Sequence, residues 1–211
     1  MEATAEMMQR RPLRELRVAE IGTLAAVSSS TFYLYFESVA EAGLAVIEGL
    51  NQATPEVIEL LDSQWNRENV LKKAKVFVQA YVNFWDRHHA LLRVRNFAAD
   101  EGDKRFFDAR RRSVEPIHLG LQAKIVAFQR RYPDAPQLDP ASTASVLLSM
   151  LERVAGVVRL PSAHKATRPR QLEATAYLFA CAMIGSIADP EGGPNGRPSR
   201  RRANQPEPQL A

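Results

Sequence analysis

A chain of 211 residues is long enough for one compact core with a small additional module, and too short for several large domains. Its net charge of +4 excludes a general nucleic-acid coat protein, so any contact with DNA requires a local patch. The single cysteine, Cys181, excludes an intrachain disulfide framework and a multi-cysteine metal site, and it fits a reducing cytosol.

The hydropathy pattern indicates a helical protein without a membrane segment. The first residues contain no apolar run typical of a signal peptide, and no stretch approaches the roughly 20 apolar residues of a membrane span. Apolar residues recur at spacings of three and four, whereas the alternation typical of strands is almost absent. We therefore expect an all-α, cytoplasmic protein with no membrane partner.

The segment Val18–Phe36 has the pattern of a helix-turn-helix. A short helix is predicted first, with its apolar face formed by Val18, Ile21, Leu24 and Ala25. Ala26-Val27 is a tight connection, and Ser28 is a favourable N-cap for a second short helix over about 29–35. In a helix-turn-helix the second helix enters the DNA major groove by its N-terminal residues.

The side chains of the second helix suit contact with DNA. Ser28, Ser29, Ser30 and Thr31 place hydroxyl groups at a helix N-terminus, where unpaired backbone N–H groups favour phosphate. Tyr33 and Tyr35 point to different sides, so we expect one to reach phosphate while the other packs. Phe32 and Phe36 are one turn apart and are expected to face the core. Four arginines that precede this unit are candidates for backbone contacts: Arg10, Arg11, Arg14 and Arg17.

Longer helices are predicted in the rest of the chain. Their ranges are 39–62 with an interruption at Pro55, 69–88, 90–99, 104–132 with N-cap Asp103 and a kink at Pro116, 140–159 opened by Asp139-Pro140, and 169–187. The last helix is apolar almost all round in its C-terminal half, which is typical of burial against a partner chain. Residues 189–211 are rich in proline and glycine and predict a disordered tail with an arginine run at 200–202.

The chain resembles the TetR family of one-component bacterial repressors over residues 17–44. The resemblance rests on Ile21, on the run Ala25-Ala26-Val27-Ser28, on the run Thr31-Phe32-Tyr33-Leu34-Tyr35-Phe36, and on Ser38 before an apolar helix. It implies base contacts by Ser29, Ser30 and Thr31, phosphate contacts by Tyr33 and Arg17, and Tyr35 as a further candidate. It also implies a palindromic DNA operator, a ligand cavity between the middle helices, and a homodimer that pairs the last two helices as a four-helix bundle.

Three features depart from the family pattern. Ala26 stands where the turn usually has glycine, and Val39 stands where a phosphate-binding lysine is usual. Only 17 residues precede Val18, and with Pro12 among them they leave room for two helical turns at most. We therefore expect either a reduced DNA-binding domain, with a short or missing first helix, or a true start further upstream. Loss of that helix would expose Ile21 and Phe32.

Several residues of the helical region are candidates for a ligand pocket or for the dimer interface. The pocket candidates are Tyr81, Phe84, Trp85, Phe97 and His118, although aromatic residues at helical spacing are more often core, and a hydrogen-bonded core role is favoured for His118. The interface candidates are Leu151, Arg153, Val154, Tyr177, Cys181 and Ile184, with Arg153 expected to pair with a carboxylate across the interface rather than to bind an acidic ligand.

The remaining polar motifs favour structural roles over chemistry. His88 and His89 are adjacent on a helix and diverge by about 100°, so we expect a helix-end cation role rather than a metal site. The run Arg110–Arg112 is expected to be a solvated face, with some ion pairs across the dimer. The sequence has no glycine-rich phosphate loop, nucleophile elbow or metal-ligand spacing, and a Cys181 thiolate is disfavoured in an apolar helix. We expect no enzyme, no metal and no cofactor.

These observations predict three segments: a helix-turn-helix over 1–38, a helical ligand-binding and dimerisation domain over 39–188, and the tail over 189–211. The favoured function is a transcriptional regulator, a repressor released from its operator by a small-molecule ligand. The alternative is a helical ligand-binding or interaction protein whose helix-turn-helix is vestigial.

Overall fold

The computed structural model describes residues 1–50, 55–157 and 167–185. Nine α-helices and one 3-10 turn, with no strand, form the described part of the chain, so the all-α prediction is confirmed. The helices are α1 (Glu2–Arg10), α2 (Val18–Ala25), α3 (Ser29–Tyr33), α4 (Val39–Gly49), α5 (Pro55–Asp62), α6 (Val70–Asp100), α7 (Lys104–Arg131), α8 (Pro140–Val157) and α9 (Thr167–Ile184). The 3-10 turn, Leu13–Glu15, lies between α1 and α2.

A small hydrophobic core is formed by the four helices α1, α2, α3 and α4 together with the adjoining parts of α6 and α7. We call this region the head. It buries Ala3, Met7, Met8, Leu16, Ile21, Phe32, Ala42, Val46, Ile47, Leu91, Ala99, Phe106 and Ala109. The short first helix is therefore present, and its buried residues Met7 and Met8 belong to the same core as Ile21 and Phe32, which are also buried. The predicted apolar face of α2 is wrong at Leu24 and Ala25, which are exposed, because α2 instead buries Ile21 and Gly22.

A larger core holds the rest of the molecule together; we call this region the body. Its centre is formed by aromatic and aliphatic side chains of α5 to α9, among them Phe77, Tyr81, Trp85, Leu121, Leu151 and Phe179. The apolar stripes of α6 and α7 recur at spacings of three and four, and each contributes a continuous line of buried residues to this core.

The sequence predicted most helix ends correctly and misplaced one break. Asp103 accepts a hydrogen bond from the backbone N–H of Arg105 at 3.0 Å, and Asp139 accepts one from Ser142 at 2.8 Å, so both caps are confirmed. Pro55 begins a new helix, as expected. The predicted break between 88 and 90 is wrong, because α6 is continuous to Asp100.

The unbroken α6 also changes the role expected for the two histidines. His88 lies in the middle of α6 and packs on Phe84, with 5.0 Å between the ring centroids, so the helix-end role is wrong. Burial lowers the pKa of His88, which favours the neutral ring.

The proline predicted to kink the next helix lies inside an α-helix that continues through it. Pro116 removes the N–H that would bond the carbonyl of Arg112, and both residues are on the exposed side of α7, where water can serve that carbonyl.

The predicted tail over 189–211, its arginine run, and the segment 158–166 lie outside the described residues. None of the described helices is both long and apolar enough to cross a membrane.

Candidate nucleic-acid interface and effector cavity

The turn between α2 and α3 depends on one glycine and one strained alanine. A Cβ on Gly22 would lie 2.7 Å from the backbone oxygen of Val27, while the Val27 N–H donates to the Gly22 carbonyl at 2.9 Å. Ala26 caps α2 in the left-handed conformation, with φ 55° and ψ 39°. That conformation costs a residue with a Cβ about 1 kcal/mol, which explains why glycine is favoured there.

Side-chain hydroxyls organise the start of α3. The Ser28 Oγ accepts a hydrogen bond from the Thr31 N–H at 3.0 Å and lies 2.9 Å from the Thr31 Oγ1, so the predicted N-cap is confirmed. Ser28 and Thr31 are thus bonded to each other, whereas Ser29 and Ser30 are exposed in the first turn of α3. The two serines are free to approach a ligand at this surface.

The aromatic residues of α3 divide between core and surface. Phe32 is buried, and its ring lies 5.5 Å from that of Phe36, as expected for a pair one turn apart. Tyr33 is 58% exposed and its ring packs edge-on against that of Phe32, with 5.6 Å between the ring centroids, whereas Tyr35 is 74% exposed. Tyr33 is thus the tyrosine that packs in part. Tyr35 follows the end of α3, and the shorter helix leaves both phenols at the surface.

The arginines before α2 are mostly engaged within the chain. Three of them form ion pairs: Arg10 with Glu6 at 2.5 Å, Arg11 with Glu20 at 3.0 Å and Arg14 with Glu101 at 4.0 Å. Arg17 is exposed at the start of α2, and its backbone N–H donates to the Glu20 carboxylate at 3.2 Å. Arg17 is therefore the cation best placed for a phosphate beside α2 and α3.

A small cavity lies where α4 ends against α6 and α7. Its apolar wall consists of Leu50, Phe84, Trp85, Leu92, Val114 and Ile117. Its polar wall consists of Tyr81, Arg95 and Ser113. The space open to the centre of a water molecule is about 10 Å³, which is room for about one water.

A buried charge network forms the polar side of this cavity. The Arg95 guanidinium is 4% exposed and donates to Asn96 at 2.9 Å, to Ser113 at 2.5 Å and to Glu152 at 3.4 Å. Arg110 donates to the other oxygen of Glu152 at 2.7 Å. One carboxylate of α8 thus joins two arginines, one from α6 and one from α7.

The predicted pocket residues separate into two groups. Tyr81, Phe84 and Trp85 line the cavity. Phe97 is 55% exposed and lies under the Arg14 guanidinium at 5.7 Å, so it is not a cavity residue. His118 bonds to the Ala141 carbonyl at 3.1 Å and to Ser145 at 3.0 Å, where α7 meets α8 away from the cavity wall.

The sequence analysis missed the polar half of the cavity. Arg95 stands three and four residues from Leu92, Leu91 and Ala99, on the buried side of α6. Glu152 follows the buried Leu151, whereas Arg153, which the sequence analysis selected, is exposed. A charged residue on an apolar stripe was the available signal in both helices. In the run Arg110–Arg112, Arg111 and Arg112 are exposed as expected, and Arg112 pairs with Glu48 of α4 at 2.5 Å, whereas Arg110 is half-buried beside Glu152.

The predicted dimer residues are only partly available at the surface. Leu151 and Ile184 are buried within the chain itself. Arg153 and Tyr177 are exposed, and Val154 and Cys181 are half-buried. Across the described residues, no group of three His, Cys, Asp or Glu side chains is arranged to hold a metal ion.

Comparison with known protein families identifies the family of this chain. The model of the tetracyclin repressor-like C-terminal domain matches residues 57–185, more than half of the chain. The chain belongs to the tetracyclin repressor-like family. Members of this family are transcriptional regulators and not enzymes.

Solved structures share the fold over nearly the whole chain. The fatty acid degradation regulator FadR from Bacillus halodurans matches with a TM-score of 0.63 and 13% identity, over 88% of this chain and 93% of that one. FadR from Bacillus subtilis, solved in complex with stearoyl-CoA, matches with a TM-score of 0.63 and 12% identity, over 89% and 97%. A protein from Mesorhizobium loti assigned to the TetR family matches with a TM-score of 0.62 and 16% identity, over 84% and 91%. Among curated proteins, none matches the sequence.

Proposed function

We propose that the protein is a homodimeric cytoplasmic repressor that binds a palindromic DNA operator through α3 and leaves it when a small molecule occupies the cavity. The observation that carries the proposal is the exposed polar surface of α3. Ser29 and Ser30 present their side chains to solvent in the first turn of α3, Tyr33 does so at its last residue, and Tyr35 does so just beyond its end. Such a surface suits the phosphates and base edges of a major groove.

The position of α4 supports a link between the cavity and the DNA-binding surface. Helix α4 begins at Val39, immediately after the helix-turn-helix, and its C-cap residue Leu50 lines the cavity. The Arg112–Glu48 ion pair ties the same end of α4 to α7. A ligand that widens the cavity would displace Leu50 and would thereby shift the population toward another orientation of the head.

The exposed apolar residues of the last two helices support the homodimer. Val146 on α8 is exposed, as are Tyr177 and Leu178 on α9. Apolar side chains on two adjacent helices favour burial against the same face of a second copy, as in a twofold interface. FadR from Bacillus subtilis, which shares the fold, was solved with stearoyl-CoA, so this fold is able to bind a ligand that carries a long apolar chain.

The test is fluorescence anisotropy of the full chain with labelled DNA from upstream of its own gene, beside a scrambled fragment, across a salt series. We expect selective binding that weakens as salt rises, because phosphate contacts release counterions. Tyr33→Phe and Tyr33→Ala should both weaken binding by roughly 10- to 100-fold, because both remove a hydrogen bond to a charged phosphate.

Two further variants keep this experiment specific. Arg17→Gln should weaken binding to both fragments and lower the slope of log affinity against log salt by about 1. Val76→Ala, an exposed apolar residue of α6 in the body, should change neither. Equal, weak binding to both fragments by the unaltered chain would contradict the proposal and favour a helical binding protein with a vestigial helix-turn-helix.

A further inference from the structure

The charge network beside the cavity leaves one arginine poorly compensated. Glu152 gives its short contact, 2.7 Å, to Arg110 and its long contact, 3.4 Å, to Arg95. Arg110 is also partly exposed and lies 3.5 Å from Asp100, whereas Arg95 is almost fully buried. Of the two guanidinium groups, the more exposed one, that of Arg110, therefore has the closer contact with Glu152.

The pKa values of the two arginines shift in opposite directions, in agreement with these distances. Burial lowers the pKa of Arg95, and the nearby Glu152 charge does not reverse this. Burial also acts against the charged form of Arg110, but the hydrogen bond and charge of Glu152 raise the pKa of Arg110 above its ordinary value. An additional anion next to Arg95 would supply the compensation that Glu152 does not.

Hydrogen-bond donors remain for such an anion. A guanidinium carries five N–H donors, and Asn96, Ser113 and Glu152 take three of those of Arg95, which leaves two. The Tyr81 phenol is on the same wall, and burial together with the Glu152 charge raises its pKa, so it keeps its proton and is able to donate.

The rest of the wall restricts what the anion is attached to. It is aromatic and aliphatic, with Phe84, Trp85, Leu92 and Ile117 among its residues. A phosphate or a dicarboxylate would carry a second charge into this apolar surface without a partner, which is costly. A ligand with a single negative charge and an otherwise apolar structure matches both the polar and the apolar side of the wall.

We propose that the effector is an apolar monocarboxylic acid whose carboxylate is bound by Arg95 and Tyr81 in this cavity. This inference rests on the proposed function, since it names the chemical class of the effector. The unliganded cavity has room for about one water, so the acid must push its wall apart to enter. The ligand carboxylate binds beside Glu152 and not in its place, because it uses the two Arg95 donors that Asn96, Ser113 and Glu152 leave.

The test measures binding by the full chain and needs no DNA. Two acids, octanoate and phenylacetate, are titrated beside their neutral amides, octanamide and phenylacetamide, by isothermal calorimetry and by tryptophan fluorescence, to which Trp85 of the cavity wall contributes together with Trp65. We expect at least one acid to bind roughly 10- to 150-fold more tightly than its amide, because a charged hydrogen-bonding partner is lost in the amide.

Variants assign that preference to one residue. Arg95→Gln should bring the acid to the affinity of its amide, whereas Arg95→Lys should keep part of the preference. Arg93→Gln, an exposed arginine of the same helix, should behave as the unaltered chain does. The comparison of acid with amide on the unaltered chain stands even if Arg95→Gln fails to fold.

Three outcomes would overturn the inference: no binding of either acid, equal binding of acid and amide, or an acid preference that survives in Arg95→Gln. Failure of the proposed function is separate, because a chain that binds the acid but no operator keeps this inference and loses the repressor role. A chain that binds the operator but neither acid loses only the inference.

Discussion

The head and the body put their functional groups in opposite places. The head buries a small apolar core and presents hydroxyls and phenols outward from α3. The body has the larger core, and inside it lie the guanidinium of Arg95 and the carboxylate of Glu152. A surface of this kind tolerates many substitutions without loss of stability, whereas a charge inside a core ties stability and binding to the same residues.

The largest effect should come from breaking the buried pair of the body. Glu152→Ala leaves Arg95 buried without its carboxylate, and we expect the free energy of unfolding to fall by about 3–5 kcal/mol. Urea denaturation followed by circular dichroism measures this change. Glu173→Ala removes an exposed carboxylate paired with Lys75 and should cost about 0–1 kcal/mol. Similar losses in the two variants would mean that the buried network contributes no more to the free energy of unfolding than an exposed ion pair does.

A second variant should damage the head and spare the body. Gly22→Ala places a Cβ 2.7 Å from the Val27 carbonyl oxygen, and because that atom is backbone the turn has to move. We expect a loss of about 1–3 kcal/mol in head stability together with loss of operator binding. Gly49→Ala, where a Cβ meets nothing within 4 Å, is the matched control. Intact operator binding by Gly22→Ala would show that the turn is not tight.

A third variant should strengthen the head. Ala26 has a left-handed backbone, so Ala26→Gly relieves strain and should raise the midpoint of thermal unfolding, equivalent to about 1 kcal/mol. Ala25→Gly, one residue earlier and within α2, should instead lower stability by about 0.5–1 kcal/mol. The same sign for both glycines would contradict the left-handed assignment.

The smallest effect concerns the exposed ion pair that links α1 to α2. The hydrogen bond from Arg11 lowers the pKa of Glu20 below its ordinary value of 4.5. A lowered pKa means that Glu20 stabilises the folded chain above that value and loses the contribution as pH falls through the folded-state pKa. Nuclear magnetic resonance titration should find the pKa of Glu20 higher in Arg11→Gln and unchanged in Arg10→Gln.

Sequence reasoning succeeded where the determinants are local. The cap at Ser28, the start of α5 at Pro55 and the pairing of Phe32 with Phe36 each depend on residues within one or two turns. The shortening of α3, which exposes both tyrosines, was not predicted, because five-residue helices carry too little periodicity to set their own end.

Two errors came from polar residues in the middle of helices. A break was predicted at His88-His89, but α6 continues through both residues. Successive side chains of a helix point to different sides, so a short run of polar residues does not end the helix. The pair of Arg95 with Glu152 joins residues 57 positions apart on different helices, so neither position reveals its partner. The exposed Arg153 was selected because the register of α8 cannot be fixed to one residue from a stripe alone.

Helix α6 contributes to the cores of both the head and the body, which limits how the head can be exchanged between proteins. Its 31 residues span about 46 Å, and it gives Leu91 and Ala99 to the core of the head and Phe77 and Tyr81 to the core of the body. The head, the proposed DNA-binding region, is therefore not a self-contained unit, because a graft of residues 1–50 onto another regulator would leave behind part of its own core. Exchange of operator specificity between such proteins should succeed by altering the surface of α3 and fail by transplanting the head.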